Sequence, residues 1–272
     1  DGRVLERGVV SAPAGDGGDA MADAAASLVN ELLARADARL VAAGVGAAGV
    51  IDPETGLVLA ASDSFVGWSG YPLGAELESR LGVKVRVEND VNAFLLGEVA
   101  RGAAAATDVL GIMLGTGVGG AVVLDGELRY GHSGAAGEIG HTPGYSDRIC
   151  TCGQTGHLET VASGRSIEAR YLEATGHAEP ADVIADLARR GDPEAGGVFE
   201  RAGRALGLAC VTAGGILDLG AVVVGGGVTR AWDLLEPALH EVLRTDSPVS
   251  GVALDVVRST LGEDAVALGA VT

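Results

Sequence analysis

Four residues with the chemistry to hold a metal crowd together near the middle of the chain: His141, Cys150, Cys152 and His157. Zinc favours tetrahedral sets of thiolate sulfur and imidazole nitrogen, and four protein ligands with no water mark a structural ion. The whole chain has 5 His and 3 Cys, so this clustering calls for an explanation. A Cys-x-Cys pair is a poor disulfide framework and a fair metal-binding one in a reducing compartment, which points to a cytoplasmic location. Upstream, Asn89-Asp90 stands where an apolar stretch of strand type gives way to a helical pattern, a junction that favours polar site residues. Two further stretches, Gly115-Thr116-Gly117-Val118-Gly119 and Gly225-Gly226-Gly227, are tight glycine turns beside apolar runs. Without a Cβ in the way, backbone N–H groups in such turns can approach a phosphate closely. As bare patterns they are weak, because the chain holds 44 glycines.

The elements that must position these residues alternate in type. Apolar residues at spacings of three and four predict a helix over 20–41, followed by short buried strands at 45–50 and 57–61 around a turn. A short helix follows Tyr71-Pro72, then a strand at 83–87 and a helix at 91–101. Strands at 109–114 and 120–124 flank the first glycine turn. Helices dominate from Ser163, with a long one at 193–217, before a buried strand at 221–224, a helix at 229–244 and a strand at 252–257. Residues 265–272 form a closing run of small residues. At the start, Asp1-Gly2 reads as a turn feeding a strand at Arg3-Val4-Leu5, as if an earlier hairpin partner were missing. The class is α/β, and 272 residues are enough for two lobes.

Bulk properties exclude some functions. Lys and Arg number 19 against 37 Asp and Glu, a formal charge of −18, which repels a phosphate backbone and argues against nucleic-acid contact by this segment. Hydrophobic residues make up 47%, but the apolar runs fall short of the roughly 20 residues needed to cross a bilayer. No signal peptide is visible.

In order along the chain, these motifs resemble those of the ROK family of sugar kinases and sugar-responsive repressors. The family's zinc motif runs Gly-His, a spacer, then Cys-x-Cys-Gly-x-x-Gly-Cys-x-Glu. Gly140-His141, Cys150-Thr151-Cys152-Gly153 and Gly156-His157-Leu158-Glu159 match it, with His157 where the family usually has a third cysteine. Val87-Glu88-Asn89-Asp90 resembles the family's Glu-Asn-Asp element. The resemblance implies Asp90 as catalytic base and Asn89, Glu138, His141 and Glu159 as sugar ligands. Gly67-Trp68 resembles the loop bordering the sugar, with Val66 in place of the usual proline. It likewise implies nucleotide contacts at Gly115, Thr116, Gly117, Gly225, Gly226 and Gly227, and a structural zinc on His141, Cys150, Cys152 and His157.

The fold so implied is the two-lobed, actin-like (ribonuclease H-like) sugar kinase fold with mixed sheets. A small lobe over 1–106 would lack its first hairpin, and a large lobe over 107–272 would carry the zinc motif, its last residues returning to the small lobe. The sugar pocket would lie in the cleft between the lobes. The expected function is ATP-dependent hexose phosphorylation with Mg2+, on a sugar of the glucose or N-acetylhexosamine type. The alternative is the sugar-sensing effector domain of a ROK repressor whose DNA-binding domain lies upstream. A homodimer is also implied. The family's Asp-x-Gly-Gly-Thr phosphate loop is absent from the chain, and the segment before Asp1 would discriminate kinase from repressor.

Overall fold

The structure is a computed structural model and describes residues 3–61, 65–104, 106–247 and 249–272. The chain forms two compact units, one of residues 1–97 and 264–272, the other of residues 98–263.

In the first unit, α1 (Gly18–Ala36) buries Met21, Ala22 and Ala26. It stops five residues earlier than the periodicity suggests, because Asp37 turns left-handed and its N–H caps Leu33 O; Val41, beyond it, is exposed. Strand β1 (Ala42–Ala47) follows, then the short antiparallel pair β2 (Val50–Ile51) and β3 (Val58–Ala60). Helix α2 (Leu73–Leu81) ends on left-handed Gly82 and leads into β4 (Lys84–Asn89), which pairs parallel to β1 with Ala47 opposite Asn89. Helix α3 (Asp90–Arg101) begins directly after that strand. Trp68 is core here, 6% exposed, stacked between Phe65 and Tyr71, with its indole N–H donating to Ala48 O at 2.9 Å.

The strand expected at Arg3-Val4-Leu5 does not form. Residues 3–10 adopt no regular element, no strand among the described residues offers them a ladder, and Leu5 and Val9 are exposed. Asp1 and Gly2 lie outside the described residues. The segment is held instead by Arg7 on Asp264 and by Arg35, which donates to Arg7 O.

The second unit is built on a five-stranded mixed sheet in the order β7-β6-β5-β8-β9. Its strands are β5 (Val109–Leu114), β6 (Val118–Leu124), β7 (Glu127–Arg129), β8 (Ala221–Gly225) and β9 (Asp255–Arg258). The first three pair antiparallel, while β5, β8 and β9 run parallel. Central β5 and β8 are almost wholly buried, as unbroken apolar runs covered on both faces should be. The helices are α4 (Glu159–Ala162), α5 (Gly164–Thr175), α6 (Ala181–Arg189), the long α7 (Pro193–Leu217) and α8 (Trp232–Thr245), with α9 (Ala265–Ala270) belonging to the first unit. Strand β9 begins three residues later than expected, since Val252 is exposed rather than inward. Helix α5 is capped by Ser163 Oγ, which accepts from Ser166 N. Helix α7 starts on Asp192, whose side chain accepts from Ala195 N, with Pro193 in the first turn, a strong N-terminal signal.

Candidate functional site

At the carboxyl end of the parallel pair β1/β4, the strand-to-helix junction carries Asn89 and Asp90. Asn89 Oδ1 accepts from Val91 N at 2.9 Å and Asn92 N at 3.0 Å, so it caps α3. Its amide donates to Gly49 O at 2.8 Å, leaving one amide hydrogen for a ligand. Asp90 Oδ1 accepts from Val91 N at 3.0 Å, and Glu88 Oε1 braces the junction through Asn89 N and Asn92 Nδ2. One backbone bond thus holds the Asp90 carboxylate at the positive end of a helix. Gly67 is exposed, at φ 60°.

In the second unit, Glu138, Ile139 and Gly140 lead into His141 on a short 3₁₀ turn. That turn sits hard against β6, since a Cβ on Gly140 would collide with Val118 O. The loop that follows folds back through an isolated bridge between Ile149 and Thr155, with Cys150 N donating to Gln154 O at 2.7 Å. This gathers all four expected metal ligands, whose donor atoms lie within 4.8 Å of one another. His141 Nδ1 is 3.3 Å from His157 Nδ1 and 3.6 Å from Cys150 Sγ, and Cys152 Sγ is 3.3 Å from His157 Nδ1.

These spacings test the fit to zinc. Bond lengths of about 2.05 Å to nitrogen and about 2.3 Å to sulfur place the corners of a tetrahedron about 3.3 Å apart for two nitrogens and about 3.6 Å apart for nitrogen and sulfur. The residues fit. Burial raises the Cys150 thiol above the ordinary cysteine range, an effect that a divalent cation at the centre opposes. The third cysteine, Cys210, is fully buried, with its thiol pushed up to about 12 by desolvation; it lies on α7 in the hydrophobic core. With Nδ1 facing the cluster, the His141 ring points Nε2 toward Glu138, whose Oε2 is 4.0 Å away.

Glu159, at the start of α4, lies between this cluster and the first glycine turn. Its Oε2 accepts from Val118 N at 3.0 Å, and its Oε1 accepts from Thr151 Oγ1 at 2.8 Å and faces Cys150 Sγ at 3.7 Å. Gly117 leaves room for this approach, because a Cβ there would press on Oε2 and push the carboxylate aside.

Beside the turn opens a cavity of about 600 Å³. Gly115 and Thr116 line one wall and Gly227 another, so members of both expected nucleotide turns meet on one space. Gly117, Gly225 and Gly226 are not on its wall. Gly226 sits at φ 89° against the main chain of Leu114, where no Cβ fits, and so closes the turn from behind. Much of the remaining wall comes from α5 and α6, including Arg165, Glu168, Asp182 and Arg189, which no motif in the sequence marks; Phe199 of α7 and Val228, Arg230 and Ala231 also line it. The signal available was indirect: Ser163 caps α5 just after the metal motif, and Gly164 N donates to Gly115 O at 2.8 Å, carrying the next residues to the cavity.

Comparison with known proteins gives a consistent picture. A family model described as the ROK family matches residues 1–272. A glucokinase from Thermotoga maritima is 38% identical over 245 residues, covering 84% of this chain and 77% of the relative. Among solved structures, a ROK family glucokinase from Streptomyces griseus, in complex with glucose and AMPPNP, is 30% identical with a TM-score of 0.84, covering 99% of this chain and 91% of its own. A ROK family transcriptional regulator, a homologue of the E. coli MLC protein, is 28% identical with a TM-score of 0.80, covering 93% of this chain and 68% of its own.

Proposed function

Because the chain belongs to the ROK family, we propose that it is a sugar kinase that transfers the γ-phosphate of ATP to a hexose hydroxyl. The observation that carries the reading is the cavity on which Gly115, Thr116 and Gly227 converge, in a chain that also keeps a carboxylate, Asp90, at the start of a strand-anchored helix. Glycine turns bind polyphosphate through backbone N–H groups, and phosphoryl transfer depends mostly on positioning and charge stabilisation.

In this reading Asp90 accepts the proton of the attacking hydroxyl as its oxygen bonds to the γ-phosphorus and the bond to the bridging oxygen breaks. Asn89, its carbonyl committed to capping α3, offers its remaining amide hydrogen to the sugar. Glu138 accepts from sugar hydroxyls and His141 donates through Nε2. Glu159 serves the same ligand set from behind the glycine turn, and Gly67 borders the sugar. His141, Cys150, Cys152 and His157 would hold a zinc ion, and ligation through His141 Nδ1 would leave the hydrogen on Nε2. A magnesium ion entering with the nucleotide would supply neutralisation of phosphate charge.

The regulator comparison supports a second reading, a sugar-sensing domain that binds hexose without turnover. The two are separated by a coupled kinase assay over glucose, mannose, N-acetylglucosamine and N-acetylmannosamine, run beside sugar calorimetry. Efficient turnover with one or more sugars is expected of a chain extended upstream to carry an Asp-x-Gly-Gly-Thr loop, and hexose binding with inefficient turnover of the chain without it; Asp90→Asn should lower kcat by about 10² to 10⁴ while sugar affinity changes little. Sugar binding without turnover by the extended chain would favour the sensor.

A further inference from the structure

Three arginines line the cavity: Arg165, Arg189 and Arg230. Two are spent on protein partners. Arg189 donates to both carboxylate oxygens of Asp233 at 3.0 and 2.8 Å and to Asp186 at 3.1 Å, and it holds the Asp233 carboxyl below its usual range. Arg230 pairs with Glu263 at 2.6 Å. The cavity's acids are committed too: Glu168 Oε1 accepts from Ala181 N, Asp182 Oδ1 accepts from Val183 N, and Asp186 holds Arg189. Arg165 differs, because among the described residues it has no hydrogen bond and no ion pair. In a chain with 37 acidic against 19 basic residues, a guanidinium without an anion is out of keeping with its surroundings.

Its position is equally specific. Arg165 follows Gly164, whose N–H donates to Gly115 O, so it leaves the main chain directly beside the first glycine turn. A guanidinium placed there presents forked donors to a phosphate. The charge balance adds a reason: a polyanionic nucleotide entering a chain of net charge −18 needs a cation that protein carboxylates have not neutralised.

We infer that Arg165 binds the phosphate chain of the donor nucleotide, and that it sets the preference of the cavity for nucleotides over nucleosides. The inference rests on the nucleotide reading of the cavity. Two ligands that differ only in phosphate, ADP and adenosine, are titrated calorimetrically with Mg2+ in excess into the wild-type chain, Arg165→Gln and Arg165→Lys. Losing one charge-assisted bidentate contact weakens binding by about 10- to 100-fold. That loss is expected for ADP with Arg165→Gln, a smaller one with Arg165→Lys, and none beyond about twofold for adenosine. In the kinase assay, KM for ATP rises correspondingly while KM for the sugar stays constant. Unchanged ADP affinity in Arg165→Gln, or an equal loss for adenosine, overturns the assignment of Arg165 alone. Failure of the wild-type chain to bind either ligand overturns the nucleotide reading and Arg165 with it. Circular dichroism of both variants, at an exposed position, excludes unfolding as the cause.

Discussion

At the scale of single residues, the metal cluster tests how far donor chemistry can be read from spacing. Four electron-pair donors aimed at one point are mutually unfavourable unless protons or a cation sit among them, and the two imidazole Nδ1 atoms at 3.3 Å show how closely they are gathered. One zinc per chain is the expected elemental content of protein purified without chelator, and Cys150→Ser should reduce it to near zero and lower the melting temperature. His157→Cys should keep the ion and resist a competing chelator better, since thiolate is the softer ligand; a weaker hold would mean that the buried His157 ring is shaped to its place. The cluster was legible in the sequence because cysteine and histidine are scarce here, whereas Arg165 was not. An arginine becomes conspicuous only when its neighbours are seen to be paired and it is not. Trp68 marks the opposite limit, because an indole beside a site-like glycine and an indole in the core read alike until Ala48 O is found on its nitrogen.

At the scale of elements, the alternation of apolar runs was read well wherever packing decides the outcome, as in β5, β8 and α7. It was read poorly where nothing packs, as at residues 3–10 and at the end of α1. A buried carboxylate was invisible to it altogether. Glu98, on the last turn of α3, is 0% exposed, and its oxygens accept from Ala103 N at 2.8 Å, Ser259 Oγ at 2.5 Å and Leu261 N at 3.1 Å. It therefore ties the end of a helix to the segment leaving β9, two stretches far apart in sequence. Gly102 makes room for it, since a Cβ there would strike the carboxylate. Glu98→Ala strands part-buried donors at about 1 kcal/mol each, so a loss of about 2–3 kcal/mol is expected in urea unfolding. Gly102→Ala should also destabilise, and the double variant should fall well short of the sum, because both changes break one contact. Additive losses would show that Gly102 matters for the turn alone.

At the scale of the whole molecule, the charge of −18 acts on the two proposed substrates unequally. No helix among the described residues is long and apolar enough to cross a membrane. A hexose is neutral and does not feel the charge. MgATP is an anion and must approach against it, and that long-range repulsion is what salt removes: the screening length falls from about 30 Å at 0.01 M to about 8 Å at 0.15 M. A phosphate already seated on the glycine turn, within contact distance of a guanidinium, is screened much less. Raising ionic strength over this range at fixed free Mg2+ should therefore lower KM for ATP or leave it unchanged, with KM for the sugar flat throughout. Were the cavity wall itself the dominant electrostatic feature, the ordinary behaviour of a basic nucleotide site would appear instead, with KM for ATP climbing as salt is added. The comparison is sharpest with Arg165→Gln, which removes the local attraction and keeps the global repulsion, so its KM for ATP should fall more steeply with salt than that of the wild type. A parallel salt dependence in the two proteins would place the governing charge elsewhere on the surface.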